Sequence, residues 1–170
     1  NSAQRRVERE IFRNDAFDVL RAQWGEEFEE TCERRVSVVS GDVSNDGLGL
    51  NEQDRALFVS CDVVIHSAAT VSFDSPLDSS IEINLLGPNR VIQLLSEANV
   101  TPHLVAVSTC YVAGNRRGAA NEELLADTPF QVNVDWRAEV EAARRTRADL
   151  DARSRTPEQL EGFRKGAREE

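Results

Sequence analysis

Three short apolar runs in this sequence each end in residues equipped for chemistry. Gly41-Asp42-Val43 follows Val36-Ser37-Val38-Val39. Ser67-Ala68-Ala69-Thr70 follows Asp62-Val63-Val64-Ile65-His66. Ser108-Thr109-Cys110-Tyr111 follows Leu104-Val105-Ala106-Val107. An aspartate just past a strand can accept hydrogen bonds from an adenine amino group, and Val43 can pack on the ring. Ala68 and Ala69 are small enough to let the backbone approach a cofactor closely. A hydroxyl at Ser108 or Thr109 can hold a substrate carbonyl. Each position also has a plainer use: Asp42 as a turn or helix-cap residue, Ala68-Ala69 as tight packing. Taken together, in order and at three successive strand ends, they favour a ligand. Open α/β sheets bind ligands outside the carboxyl ends of their strands.

The elements that must position these residues are legible as patterns. Near-continuous apolar, β-branched runs are what a parallel sheet buried on both faces requires. Between the second and third runs, Ile81, Leu85, Leu86, Val91, Ile92, Leu94 and Leu95 recur at helical spacing. A shorter helical stretch from Glu52 to Leu57 separates the first two. The order β-α-β-α-β predicts an α/β fold. It is a partial Rossmann-like, doubly wound parallel sheet with flanking helices and a charged helical C-terminal extension.

Ahead of the sheet, from Ser2 to about Arg35, two amphipathic helices are expected. Val7 and Ile11 mark one, and Phe17, Leu20 and Trp24 the other, with Asp15 as the N-cap of the second. After the sheet, from about Asn121 to Glu170, Val132, Trp136 and Val140 mark a narrow apolar stripe. Arg137 with Glu141, and Glu141 with Arg145, are spaced for exposed helical ion pairs. Thr156-Pro157-Glu158-Gln159 reads as the start of a further helix. This last zone is expected to be a solvated helical insertion. The domain reading is residues 1–120 as the partial doubly wound domain and 121–170 as a charged helical insertion or extension.

The formal charge of −10 argues against nucleic acid, whose phosphates need clustered Lys and Arg. Any phosphate site must therefore rest on local geometry. Cys32, Cys61 and Cys110 are scattered and odd in number, which suits reduced thiols in a cytoplasmic protein and suggests no metal site. No apolar run is long enough to span a bilayer, and no signal peptide is evident. The opening Asn1, inside a helix-bearing segment, suggests a piece of a larger chain.

The motifs carry a resemblance. Gly41-Asp42-Val43, Leu48-Gly49-Leu50, His66-Ser67-Ala68-Ala69-Thr70-Val71-Ser72-Phe73, Ile83-Asn84-Leu85-Leu86-Gly87 and Val107-Ser108-Thr109-Cys110-Tyr111-Val112 together resemble the fatty acyl-CoA reductase family. The early Ile11-Phe12 and Phe17-Asp18-Val19-Leu20-Arg21 pieces are similar as well. The family belongs to the extended short-chain dehydrogenases/reductases, oxidoreductases of lipid metabolism with a Rossmann fold and NADPH as hydride donor. The resemblance implies reduction of a fatty acyl-CoA to an aldehyde or alcohol. It also implies roles: Asp42 and Val43 at the adenine, and Ala68, Ala69 and Thr70 along the pyrophosphate and ribose. Asn84 would support the active site. Thr109, with Ser108 beside it, would polarise the substrate carbonyl. Phe73 would face the nicotinamide or acyl pocket, or simply fill the core. No membrane span is implied, although peripheral membrane contact is compatible with the family, and the oligomeric state is left open.

The departures are specific. The family opens on Thr-Gly-x-x-Gly-x-x-Gly, whose amides hold a pyrophosphate at a helix N-terminus, and nothing in these residues matches it. It also uses Tyr-x-x-x-Lys, in which the lysine lowers the pKa of the proton-donating tyrosine. Tyr111 and Lys165 are too far apart to form that pair. Pro88 stands after Gly87 where the family usually has a small hydroxyl residue. The expectation is an internal fragment of a reductase, inactive alone. Alternatives are a thioester reductase domain of a carboxylic acid reductase or peptide synthetase, a non-catalytic nucleotide-binding Rossmann module, and a helix-rich interaction protein.

Overall fold

A computed structural model describes the chain except residues 1, 73, 110–112, 114–116, 157–159 and 162–170. It divides into two compact units, Asn1–Asp62 with Arg90–Pro102, and Val63–Asn89 with His103–Glu170.

The first unit opens with α1 (Ser2–Arg6), which widens into a π-helical turn over Val7–Ile11. A 3-10 turn at Asp15–Phe17 leads into α2 (Asp18–Trp24), and α3 (Phe28–Arg35) follows another at Gly25–Glu27. Asn14, not Asp15, is the cap: its side chain accepts from Ala16 N at 2.9 Å. The third helix was not expected, because Phe28 and Cys32 give it only two apolar anchors, both buried. Phe28 is the hub of an aromatic cluster, with Phe12, Phe17 and Trp24 centred 6.5, 6.3 and 6.1 Å away. The edge-to-face pairs with Phe12 and Phe17 add about 0.5–1.5 kcal/mol each beyond area burial. Arg21 ties the cluster together, donating to the carbonyls of Phe12 and Asn14 and pairing with Asp18.

The predicted first strand is not a strand. Val36 is extended (φ −114°, ψ 119°), as its β-branched type favours, but among the described residues the sheet has two strands and residues 36–39 are in neither. Extended preference is local, whereas a strand needs a neighbour to bond. These residues instead line an open groove of about 780 Å³ with Phe17, Leu20 and Trp24. None of the strand-end candidates lines it. Next comes α4 (Glu52–Val59), where Asn51 caps the start by accepting from Asp54 N at 2.9 Å.

The second unit holds the sheet. Strands β1 (Val63–His66) and β2 (His103–Ala106) run parallel, Val63 opposite His103 and His66 opposite Ala106. Parallel neighbours require a crossover, and helices supply it. These are α5 (Leu77–Ser80), a π-helical turn at Ile81–Leu85, and α6 (Leu86–Glu97), which begins in the second unit and continues into the first. Val91, Leu94 and Leu95 form the buried stripe of α6. Asn99, at φ 54°, ends it, with Val100 N reaching Leu95 O at 3.1 Å. The second unit closes with α7 (Trp136–Ser154), capped by Asp135, which accepts from Arg137 N and Ala138 N. Val140 is its buried residue, while Val132 lies before the helix and is 72% exposed. Glu141 pairs with Arg144 at 3.3 Å, and Arg137 lies over the Trp136 ring at 4.2 Å. The expected helix start at Thr156 runs into residues 157–159, outside the described part.

Candidate functional site

The parallel pair sets the geometry of the second unit. Because β1 and β2 run in register, the segments after His66 and after Ala106 leave the same edge of the sheet. The ladder continues one bond further, from Val107 N to His66 O at 2.9 Å. Ala68, Ala69 and Thr70 therefore emerge beside Ser108 and Thr109. Ser67, Ala68, Ala69, Ser108 and Thr109 are all exposed.

Thr70 is fixed from several sides. Its N–H donates to Asn84 Oδ1 at 2.9 Å, and Asn84 Nδ2 donates to its carbonyl at 3.0 Å. Its hydroxyl is 3.1 Å from that of Ser75. Thr70 thus commits its own backbone groups to an anchor, while the two alanines before it present exposed backbone with little side chain.

Asn84 sits in the π-helical turn at Ile81–Leu85, which closes with Leu86 N on Ile81 O. Such turns interrupt α-helices at local conflicts. Here Pro88 lies four residues after Asn84, so it has no N–H for the Asn84 carbonyl and its ring would crowd it. Asn89 Nδ2 caps the next carbonyl, Leu85 O, at 2.7 Å. The proline that departs from the expected pattern thus gives the wider turn, and so the placement of Asn84, a physical cause.

Asp42 and Val43 belong to the first unit. The Asp42 carboxylate works within its own turn: Oδ1 accepts from Ser44 N at 2.8 Å and Ser44 Oγ at 2.7 Å. These bonds, the hydroxyl's first, then the amide's and the Arg90 charge, outweigh desolvation and hold its pKa below the ordinary 3.8. The loop folds back through Asp42 N on Leu48 O at 2.8 Å. Its far side is left-handed at Gly47, Leu48 and Gly49. A Cβ on Gly41 would lie 3.0 Å from Leu48 O, so glycine is what lets the loop close. Arg90 of α6 braces it, donating to Val43 O at 3.2 Å and pairing with Asp46 at 3.4 Å.

Sequence reasoning missed Ser75 and Arg90. Arg90 reaches its loop partners across 44 and 47 residues, and no local pattern announces such contacts. Phe73, Cys110, Tyr111 and Val112 lie outside the described residues. Among the described residues, no group of three or more His, Cys, Asp or Glu is placed to hold a metal. Nor is any helix among them long and apolar enough to cross a membrane.

An NAD-binding family model described as male sterility protein matches residues 1–165. The chain belongs to the male sterility protein family. Within it, this chain is similar to fatty acyl-CoA reductase 1 of Arabidopsis thaliana, 32% identical over 77% of this chain and 26% of the relative. It is similar to the alcohol-forming fatty acyl-CoA reductase of Simmondsia chinensis, 32% identical over 72% of this chain and 25% of the relative. It also resembles the fatty acyl-CoA reductase wat of Drosophila melanogaster, 38% identical over 49% of this chain and 16% of the relative. The chain spans about a quarter of the length of the first two.

The family's cofactor is a nicotinamide dinucleotide. Small exposed residues and two hydroxyls stand at one sheet edge of the second unit. The glycine-rich turn that cradles a pyrophosphate does not occur in these 170 residues.

Proposed function

We propose that this chain is part of a fatty acyl-CoA reductase that uses NADPH to reduce a fatty acyl thioester to an aldehyde or alcohol. The observation that carries the reading is the shared carboxyl edge of β1 and β2, with Ala68-Ala69-Thr70 on one side and Ser108-Thr109 on the other. The family match and the reductases it resembles support the same reading. Residues 1–120 would be the nucleotide-binding part and 121–170 a charged helical extension. The proposed location is the cytoplasm.

The roles follow from chemistry at the edge. Ala68 and Ala69 would let the cofactor's ribose side lie against backbone, with Asn84 keeping that backbone in place through Thr70. Asp42 and Val43 would take the adenine, with Arg90 holding their loop. The nicotinamide, when bound, supplies the hydride. Thr109, with Ser108 beside it, would donate a hydrogen bond to the thioester carbonyl oxygen and stabilise the charge that develops there. No Tyr-x-x-x-Lys stands in these residues to protonate that oxygen. The thioester reductase domains of carboxylic acid reductases and peptide synthetases would use the same edge.

Two measurements on the purified chain test this. NADPH should raise its melting temperature, because a ligand of the native state stabilises it. NADPH with a long-chain acyl-CoA should not be consumed, because the proton donor is not among these residues. A melting temperature indifferent to NADPH would argue for an interaction module instead.

A further inference from the structure

Asp78 and Glu82 are four residues apart and meet the same partner helix. Arg144 of α7 donates from Nε to Glu82 Oε1 at 2.8 Å, with Nη2 at 2.6 Å from the same oxygen. Arg147 Nε lies 4.0 Å from Asp78 Oδ2. Arg144 and Arg147 follow the buried Val140 at spacings of four and three, so all three lie on one stripe of α7. Glu82 and Asp78 are 26% and 24% exposed, against 59% and 49% for Glu141 and Asp151, the arginines' partners within α7. The Arg144 pKa is raised, first by its hydrogen bond to Glu82.

Two residues beyond Glu82 stands Asn84. Residues two apart on a helix point to nearly opposite sides. One side of this turn is held by α7, and the other carries the amide that holds Thr70. We propose that α7 is a positioning element for the loop after β1. Arg144 and Arg147 act as positioning residues, holding the turn at Asp78 and Glu82 so that Asn84 stays on Thr70. The functional meaning rests on the reading of that loop as cofactor-lining, but the contacts themselves do not. The charged helix is then more than a solvated face: its ion pairs set the order of the sheet edge.

Amide hydrogen exchange at Thr70 in the 170-residue chain tests this directly. Arg144→Glu should speed Thr70 exchange about two- to fivefold relative to the β1–β2 ladder amides, the reach of an exposed ion pair. Combining Arg144→Glu with Glu82→Arg should restore protection, and Arg144→Lys should keep most of it. NaCl at about 1 M should act like the substitution by screening the pairs. Unchanged Thr70 exchange in Arg144→Glu, or an equal speeding of the ladder amides, overturns the proposal. If Arg144→Glu does not fold, Glu82→Gln is read in the same way. NADPH titrated into the same samples keeps the two claims apart. Absence of NADPH binding by the unsubstituted chain defeats the cofactor reading and leaves the exchange result standing. Normal Thr70 exchange in the variant defeats the positioning role even where NADPH binds.

Discussion

Asn84 holds Thr70 as a neighbouring strand would, accepting from its N–H at 2.9 Å and donating to its carbonyl at 3.0 Å. A side-chain amide can copy a peptide group because it carries the same donor and acceptor. The loop after β1 is therefore held at Thr70 by a side chain in place of a strand.

Substituting Asn84 tests how much the clamp contributes. Asn84→Ala should lower stability by about 1–2 kcal/mol, the net worth of two hydrogen bonds, read from urea unfolding. Asn84→Asp keeps the acceptor for Thr70 N but sets a carboxylate oxygen against Thr70 O, so at neutral pH it should cost at least as much as the alanine. Equal stability of Asn84→Ala and the parent would mean that the clamp does not order the loop.

Much of this arrangement was legible from periodicity, and the gaps have physical causes. The runs at 62–66 and 104–107 gave strands at 63–66 and 103–106 because each has the other as partner. The run at 36–39 has the same residue types but no partner among the described residues, and composition does not reveal partners. Asn84 was singled out from its motif, yet its bonds to Thr70 depend on a π-helical turn that helical spacing hides. Pro88 was the visible trace of that turn. Ser75, Arg90 and Glu82 act through contacts set by tertiary packing, which leaves no mark on local sequence.

The Asp42 carboxyl should titrate below 3.8, because the Ser44 hydroxyl and amide favour its charged form. Since the folded value is depressed, the stabilisation from this contact is fully present above 3.8 and is lost as pH falls through the folded value. Carboxyl carbon chemical shifts followed through acid would show it. Ser44→Ala removes the 2.7 Å hydroxyl bond and should move the Asp42 midpoint up. An unmoved midpoint would mean the hydroxyl is not the cause.

The aromatic hub should dominate the stability of the first unit. Phe28→Ala removes a buried ring that meets three others and should cost about 3–5 kcal/mol in urea unfolding. Val19 is 75% exposed on α2, and Val19→Ala should change stability by no more than about 0.5 kcal/mol. Similar losses for the two would contradict the packing described.

Loop closure around Asp42 should depend on Gly41. Gly41→Ala places a methyl 3.0 Å from the Leu48 carbonyl oxygen, a backbone atom that cannot turn aside as a side chain would. Protection of the Asp42 amide, which donates to Leu48 O, should fall in exchange measurements. Full protection in the variant would show that the loop closes without it.

The most direct test of the nucleotide reading is a residue-resolved NADPH titration by heteronuclear NMR. Amides of Ala68, Ala69, Thr70, Ser108 and Thr109, at the shared edge of β1 and β2, should shift together and saturate, with Asp42 and Val43 responding in the first unit. No shift at these amides, or shifts confined to the arginine-bearing face of α7, would contradict a cofactor site at the strand ends.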